Sequence, residues 1–190
     1  LRAHVLVTEC TFGLPVFTWP PADQIISAII AWWETNARAG RTSLLLVYAF
    51  GKAQRIIAEL GLRESSLPGD LFGHWSVLKG CDAYRKAGVI LNEMHNVKEI
   101  VPRDILKRAL VMAPPSALGT AWVNRLRPSV SALASGWIAD PQYRKRTDDG
   151  FVLSDHADWD DILGTVRESE AQQVYLIHGY TETLARYLRE

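Results

Sequence analysis

Runs of apolar residues alternate with amphipathic stretches along the chain. Buried strands are predicted at 3–8, 42–50, 108–115, 129–137, 151–153 and 172–179. Helices are predicted at 20–40, 51–61, 81–88, 116–126 and 158–169, with one more at the end of the chain. Ser116 is the expected cap of the fourth helix, and the polar, basic stretch 140–150 is expected to form a loop. Strands alternating with helices indicate an α/β fold with a mainly parallel sheet.

Composition narrows the class of protein. Hydrophobic residues make up 48% of the 190 residues and charged residues 22%, which fits a globular protein and excludes wholesale disorder. No apolar run approaches the roughly 20 residues that span a bilayer, so no membrane partner is expected. The formal charge is zero, so attraction of nucleic acid would depend on a local basic groove.

The cysteines and the chain ends add two expectations. Cys10 and Cys81 are too few for a disulfide framework, which favours a reducing, cytoplasmic setting. The sequence begins without Met, directly in a strand pattern, and stops inside a predicted helix. A fragment of a longer protein is therefore expected.

Residues that could bind a ligand or take part in catalysis lie just after the predicted strands, where parallel α/β sheets bind their ligands. After the second strand, YAFGKAQR places Gly51 and Lys52 at the start of a helix. This is either an ordinary strand–helix turn or a phosphate cradle, in which free N–H groups, the helix dipole and the lysine charge act together. It lacks the longer glycine-framed insert of a Walker loop.

Three further strand ends carry titratable residues. Glu9 follows the first strand and is predicted either to cap a turn or to orient a catalytic partner. His178 is either a turn residue or a metal ligand. In SDHADW, His156 stands in the turn that leads to a helix, and Asp158 is the expected cap of that helix. The other three histidines and the seven tryptophans are predicted to be structural.

Six short stretches, in this order, carry a resemblance to a known family: TECTFGLP, YAFGKAQR, APPSAL, ASGW, SDHADW and IHG. They resemble the β-CASP branch of the metallo-β-lactamase fold nucleases, most closely the bacterial ligase-associated DNA exonucleases. The resemblance implies a parallel α/β β-CASP domain at 15–149, inserted in a metallo-β-lactamase αββα fold. Only the later part of that second domain would be present, at 1–14 and 150–190.

The resemblance also implies roles for individual residues. Glu9 matches the family's acidic residue and His156 the histidine of its S-x-H-x-D motif. His178 matches a histidine that binds zinc in the family. Lys52, with its neighbour Gly51, matches a helix start that contacts phosphate, and the Ser135-Gly136 pair matches a turn lining the active-site cleft.

The activity implied is that of a metal-dependent phosphodiesterase, a DNA exonuclease in DNA repair that uses two divalent ions, expected to be Zn. His156 would be the general acid that protonates the leaving oxygen, with Glu9 as its orienting partner at the end of an adjacent strand. The alternative is that the two residues form a structural pair between the domains. The family's H-x-H-x-D-H element is absent and would precede residue 1, so the chain alone is expected to be inactive.

Partners and rival functions follow from the same resemblance. DNA is the expected substrate, RNA is possible, and a functional link to an ATP-dependent DNA ligase is implied. The rivals are an RNA 3′-end processing or RNA-degrading nuclease of the same family, a non-catalytic partner subunit, and a plain α/β phosphate-binding module.

Overall fold

Two parallel sheets carry the strands of the computed structural model, which describes residues 2–63, 67–97 and 101–190. The smaller sheet pairs β1 (Val5–Cys10) with β8 (Gln173–Gly179). The larger sheet has, in spatial order, β4 (His95–Asn96), β3 (Leu71–Gly73), β5 (Leu110–Ala113), β2 (Thr42–Leu46), β6 (Ser129–Ala134) and β7 (Asp149–Phe151). Every strand pair in the described residues is parallel. The predicted α/β class with a mainly parallel sheet is confirmed.

Seven α-helices connect these strands in the described part of the chain. They are α1 (Ala22–Arg38), α2 (Lys52–Gly61), α3 (Trp75–Lys86), α4 (Arg103–Leu106), α5 (Ala121–Asn124), α6 (Trp159–Ser169) and α7 (Thr181–Tyr187). Among the described residues, 3-10 turns lie at Pro115–Ala117, Gly136–Ala139 and Pro141–Arg146. None of the described helices is long and apolar enough to cross a membrane.

The larger sheet is buried on both faces at its centre, which explains the apolar run Leu44–Leu46 in β2. All five residues of β2 are buried. Leu45 faces the core cluster that includes Ile29 and Trp33 of α1, whereas Leu44 packs in the cluster on the opposite face with Val123 of α5. A strand covered on both sides has no solvent-facing position for a polar residue.

The smaller sheet is covered on one face only. Cys10 packs in a cluster with Trp159, Ile162 and Leu184, which come from α6 and α7. The opposite face leaves four apolar side chains 45–60% exposed, namely Val5, Val7, Tyr175 and Ile177. Because side chains alternate along a strand, Glu9 belongs to this open face.

The predicted helix over 116–126 is wrong. Ser116 lies inside the 3-10 turn and caps no α-helix; α5 begins only at Ala121, with Thr120 at the N-cap position. Gly119 has φ +83°, a left-handed conformation that ends one helical turn before the next begins. The local pattern of apolar residues does not reveal this break.

The predicted loop over 140–150 contains ordered structure. Asp140 caps a 3-10 turn by accepting a hydrogen bond from the Gln142 N–H at 3.0 Å. The strand predicted at 151–153 lies earlier, at Asp149–Phe151, and pairs with β6 at the edge of the larger sheet. An edge strand tolerates polar residues, so its sequence resembles a loop. The expected domain boundary at 149/150 falls within this strand, and the division into domains remains a prediction.

The middle of the chain contains more regular secondary structure than its pattern of apolar residues predicts. The helix predicted at 81–88 begins earlier, at Trp75, and ends at Lys86. His74 caps it, because the side chain of His74 accepts a hydrogen bond from the Ser76 N–H at 3.3 Å. This is a structural role, as predicted for His74.

Candidate active site

A cleft of about 340 Å³ opens at the carboxyl ends of two neighbouring strands, β2 and β6. The chain leaves β2 toward β3 on one side and leaves β6 toward β7 on the other. Connections that diverge in this way leave a crevice between them, where open α/β sheets bind ligands. The lining residues are Thr11, Phe12, Tyr48, Phe50, Lys52, Ser135, Trp137, Ser154, Asp155 and His156. Three of the predicted site residues, Lys52, Ser135 and His156, therefore meet in one cleft.

Glu9 and His156 form an ion pair beside this cleft. The Oε1 atom of Glu9 lies 3.4 Å from Nδ1 of His156, and the His156 side chain is about half exposed. The other carboxylate oxygen, Oε2, accepts a hydrogen bond of 2.7 Å from the Thr11 N–H. Burial raises the pKa of Glu9, but the hydrogen bonds from Thr11 and the charge of His156 outweigh burial and hold it below its ordinary value.

The strands that position Glu9 and His156 are not arranged as the sequence analysis predicts. Glu9 lies within β1, not beyond its end, and β1 pairs with β8 in the smaller sheet. His156 follows β7 of the larger sheet by a five-residue turn. The two residues are brought together as predicted, but their strands are not adjacent in one sheet. The pair joins the two sheets.

The turn that carries His156 is held by several hydrogen bonds. The His156 N–H donates to Oγ of Ser154 at 3.1 Å, and Nε1 of Trp19 donates to the His156 carbonyl at 2.9 Å. Asp158 accepts from the Trp19 N–H at 2.8 Å through Oδ2 and from the Asp161 N–H at 2.9 Å through Oδ1. The predicted capping role of Asp158 is confirmed, since it is the N-cap of α6. The same side chain also fixes the neighbouring chain at Trp19.

Aromatic side chains pack against the imidazole of His156. The Phe12 ring lies 5.7 Å from the His156 ring, edge to face, and 4.9 Å from the rings of both Trp19 and Trp137. Gly136 makes this packing possible, because a Cβ at this position would lie 2.7 Å from Cζ of Phe12. The two residues of the predicted Ser135-Gly136 turn therefore have different roles. Ser135 lines the cleft, whereas Gly136 has no side chain and leaves room for the aromatic rings behind it.

Lys52 is the cation of the cleft. Its side chain is only 4% exposed, and its ammonium has no hydrogen bond or ion pair with any described residue. Nζ lies 5.1 Å from the centroid of the Tyr48 ring. Burial lowers the pKa of Lys52 below its ordinary value, although the nearby Asp155 carboxylate opposes this shift. A buried cation without a direct hydrogen-bond or ion-pair partner is costly, so its presence favours an anionic ligand.

The start of α2 is less open to an anion than the sequence suggests. The Gly51 N–H donates to Oε1 of Gln54 at 2.8 Å, and the Ala53 N–H donates to the Tyr48 carbonyl at 3.2 Å. Gly51 has φ +86°, which explains a glycine at this N-cap position. These two N–H groups are therefore not free to bind an anion, which favours the ordinary strand–helix turn at this point. An anion would be held mainly by the Lys52 side chain.

Ser135 adds a neutral donor. Its oxygen accepts a hydrogen bond from the Trp137 N–H at 3.4 Å, and the residue is 4% exposed. The hydroxyl proton of Ser135 donates to no described residue. A hydroxyl donor and an ammonium that line the same cleft suit the oxygen atoms of a phosphate.

Arg55 ties the His156 turn to α2. Its Nη1 atom donates to the Ser154 carbonyl at 2.9 Å and lies 3.4 Å from Oδ1 of Asp155. The sequence did not single out Arg55, although it lies one helical turn after Gly51. This contact sets the distance between the Lys52 side of the cleft and the His156 side.

His178 lies on β8, next to the strand of Glu9. Glu9 pairs with Ile177 and Cys10 with Gly179, so His178 is the extra residue of a bulge, with φ +56°. Its backbone carbonyl accepts a hydrogen bond from Sγ of Cys10 at 2.9 Å, while the residue itself is exposed. The described residues contain no group of three or more His, Cys, Asp or Glu side chains that could hold a metal ion. The chain's own described residues therefore do not fit the two-ion site that the resemblance implies.

Two lining residues that sequence patterns did not indicate are Tyr48 and Phe50. The strand predicted at 42–50 ends at Leu46. Beyond it, Val47 is fully buried, whereas Tyr48 and Phe50 are 57% and 67% exposed. The alternation of large apolar residues in the stretch VYAF was the available signal, because it differs from the continuous burial of the strand itself.

No protein-family profile matches the chain. The chain is 30% identical over 191 aligned positions to a protein of Opitutus terrae named "Probable DNA ligase". The alignment takes in 100% of this chain but 18% of that protein, so the chain spans less than a fifth of its relative's length. This similarity connects the chain with a ligase-related protein and assigns no activity to it.

Proposed function

We propose that this chain belongs to a metal-dependent phosphodiesterase that processes DNA ends, of the β-CASP metallo-β-lactamase type. The observation that carries the proposal is the Glu9–His156 pair at 3.4 Å beside a cleft that also holds the buried Lys52. An acid–base group and a cation that line one crevice fit a phosphate ester. The similarity to part of a probable DNA ligase supports DNA as the substrate.

His156 is the proton donor in this proposal. Its Nδ1 atom faces Glu9, and Nε2 has no partner among the described residues. Glu9 therefore holds the orientation of the imidazole ring. As the P–O bond breaks, the departing oxygen takes the proton from Nε2 and leaves as an alcohol, and the imidazole becomes neutral. Glu9 acts here as a positioning residue.

Lys52 and Ser135 bind the substrate in this proposal. The Lys52 ammonium pairs with a phosphate oxygen of the nucleic-acid backbone, and the Ser135 hydroxyl donates to the same group or its neighbour. Arg55 and the Asp158 contacts hold the His156 turn at a constant distance from this binding wall. The cleft is then assembled before substrate arrives, which lowers the cost of reaching the reactive geometry.

The two divalent ions of the proposed activity require ligands beyond the described residues. His178 is a single imidazole, and structural and catalytic zinc sites take three or more protein ligands. When bound, such ions would supply Lewis-acid activation of the phosphodiester. We expect zinc titration of the 190-residue chain to show no tight stoichiometric binding by calorimetry.

The open face of the smaller sheet also supports a larger protein. A two-stranded sheet is marginal by itself, and this one leaves Val5, Val7, Tyr175 and Ile177 45–60% exposed. In the proposed arrangement, the rest of a metallo-β-lactamase domain covers this face and brings the missing ligands near Glu9 and His178.

The test compares cleavage of matched single-stranded DNA and RNA oligonucleotides by the longest natural protein that contains this chain, loaded with Zn²⁺ or Mn²⁺. We expect metal-dependent DNA hydrolysis that is slower in the Glu9→Gln and His156→Ala variants. Faster hydrolysis of RNA would favour the RNA-processing alternative. A metal-loaded protein that cleaves neither polymer would contradict the proposal and favour a non-catalytic subunit.

A further inference from the structure

Two large aromatic rings lie open at the mouth of the cleft. Tyr48 is 57% exposed and Phe50 is 67% exposed, and both line the same cleft as Lys52. A single exposed aromatic needs no explanation in a folded protein. Two of them, spaced two residues apart and lining one cleft with a lysine, form a defined surface.

Both rings are held in place by neighbours. The Phe50 ring packs edge-on against Tyr84 of α3, with centroids 5.4 Å apart and planes at 67°. The Tyr48 ring lies 5.1 Å from Nζ of Lys52. Each ring therefore has a fixed position while more than half of its residue surface remains open. Rings positioned in this way lose little conformational entropy when a flat ligand stacks on them.

We propose that Tyr48 and Phe50 form a stacking site for an unpaired nucleobase, and that Lys52 holds the phosphate of the same strand. This inference rests on the proposed function and specifies its substrate as a strand with unpaired bases at the cleft. Every nucleobase has a π-face, so such a site tolerates any sequence. A base inside a duplex is covered on both faces by its neighbours and is not available to these rings.

The arrangement of charge and rings argues for a nucleotide rather than an apolar ligand. An apolar ligand gains nothing from the Lys52 ammonium or from the Ser135 hydroxyl, which line the same cleft. A nucleotide uses both features, because its phosphate meets the cation while its base meets the rings. A basic groove combined with aromatic side chains is the general pattern of single-strand binding.

Fluorescence anisotropy with the 190-residue chain tests this site directly. The probes are a labelled eight-nucleotide DNA strand, the same strand with abasic sites at its end, and a blunt hairpin duplex. We expect Tyr48→Ala and Phe50→Ala to weaken binding of the base-containing strand by about 5- to 100-fold. Binding of the abasic strand and the duplex should change little.

Two further variants keep the result interpretable if an alanine variant folds poorly. Phe50→Trp keeps a π-face and should keep the affinity, whereas Tyr48→Leu keeps apolar bulk and should lose it. Tyr187→Ala is the matched control, because that ring is also about half exposed and packs edge-on against another ring, Trp159, at 4.8 Å. Tyr187 lies on α7, outside the cleft, and its loss should leave binding unchanged.

The outcomes separate this inference from the proposed function. Equal losses for the base-containing and abasic strands would overturn the stacking site, and so would the absence of any oligonucleotide binding by the folded chain. Neither result bears on nuclease activity of the longer protein, which is measured separately. Selective loss for the base-containing strand supports the site even if the longer protein proves inactive.

Discussion

Oε1 of Glu9 and Nδ1 of His156 lie 3.4 Å apart, although the residues stand near opposite ends of the chain. Glu9 belongs to the smaller sheet, and His156 follows the last strand of the larger one. The contact thus serves as a link between the two sheets and as part of the candidate active site. Structural and catalytic roles predict different consequences when either residue is changed.

Changing Glu9→Gln should make stability less dependent on pH. Hydrogen bonds from Thr11 and the charge of His156 hold the pKa of Glu9 below its ordinary value, so the carboxylate stabilises the fold above that ordinary value. This contribution is lost as pH falls through the lowered pKa. We expect the variant to be about 1 kcal/mol less stable at pH 7, with a difference that shrinks below about pH 4.3. Urea denaturation at several pH values measures this, and a constant difference would contradict it.

Replacing His156 by alanine should slow hydrolysis in a way that depends on the leaving group. In the metal-loaded longer protein, His156→Ala should lose about 10²- to 10⁴-fold in rate on DNA, the range for general acid–base catalysis. A nitrophenyl phosphodiester has a leaving group that needs little protonation, so its hydrolysis should be nearly unchanged. Equal losses on both substrates would exclude the general-acid role. Metal content and thermal stability of the variant serve as controls.

Removing the charge of Lys52 should stabilise the fold while it weakens the binding of nucleic acid. Because burial lowers its pKa, the charged side chain destabilises the fold at pH values below that lowered pKa, and the cost disappears above the ordinary pKa of lysine. Lys52→Met, which keeps the length but not the charge, should raise Tm near pH 7 by about 2–4 °C, corresponding to about 1 kcal/mol. The gain should shrink as pH rises toward 10. A lower Tm at neutral pH would show that the charge stabilises the cleft.

The same substitution should weaken nucleic-acid binding without changing sequence preference. Loss of one phosphate contact reduces the slope of log K against log salt by about one unit. Anisotropy titrations of the wild type and Lys52→Met at several salt concentrations give this slope. Lys79→Met on α3 is the control for simple charge removal, since Lys79 does not line the cleft. An unchanged slope for Lys52→Met would identify an ordinary strand–helix turn.

Truncating Asp158 should destabilise the fold more than loss of an ordinary helix cap. Its two oxygens accept from the N–H groups of Asp161 and Trp19, and the residue is 7% exposed. Asp158→Ala leaves two donors without partners and should cost about 2 kcal/mol. Asp158→Asn keeps one oxygen acceptor and should cost less. Chemical denaturation of both variants checks the order, and equal losses would show that a single retained oxygen acceptor does not stabilise this site.

The sequence alone determined the class of fold and several of the residues that line the candidate site. Alternating strand and helix periods follow from local side-chain patterns, and they predicted a parallel α/β protein correctly. The rule that ligands bind beyond parallel strand ends then selected Lys52, Ser135 and His156, which the structure places in one cleft. The Asp158 cap was equally predictable, because capping depends on residues within a single helical turn.

Only the tertiary structure decided which of these residues meet and which surfaces stay open. Glu9 reaches His156 because two separate sheets pack together, a contact between distant segments that no local pattern encodes. Tyr48 and Phe50 are exposed because β2 ends at Leu46, although their sequence resembles a continuation of the buried strand. Ser116 caps no helix because Gly119 adopts a left-handed conformation three residues later. Local preferences are weak compared with packing, so packing settles where an element ends and which side chains face the cleft.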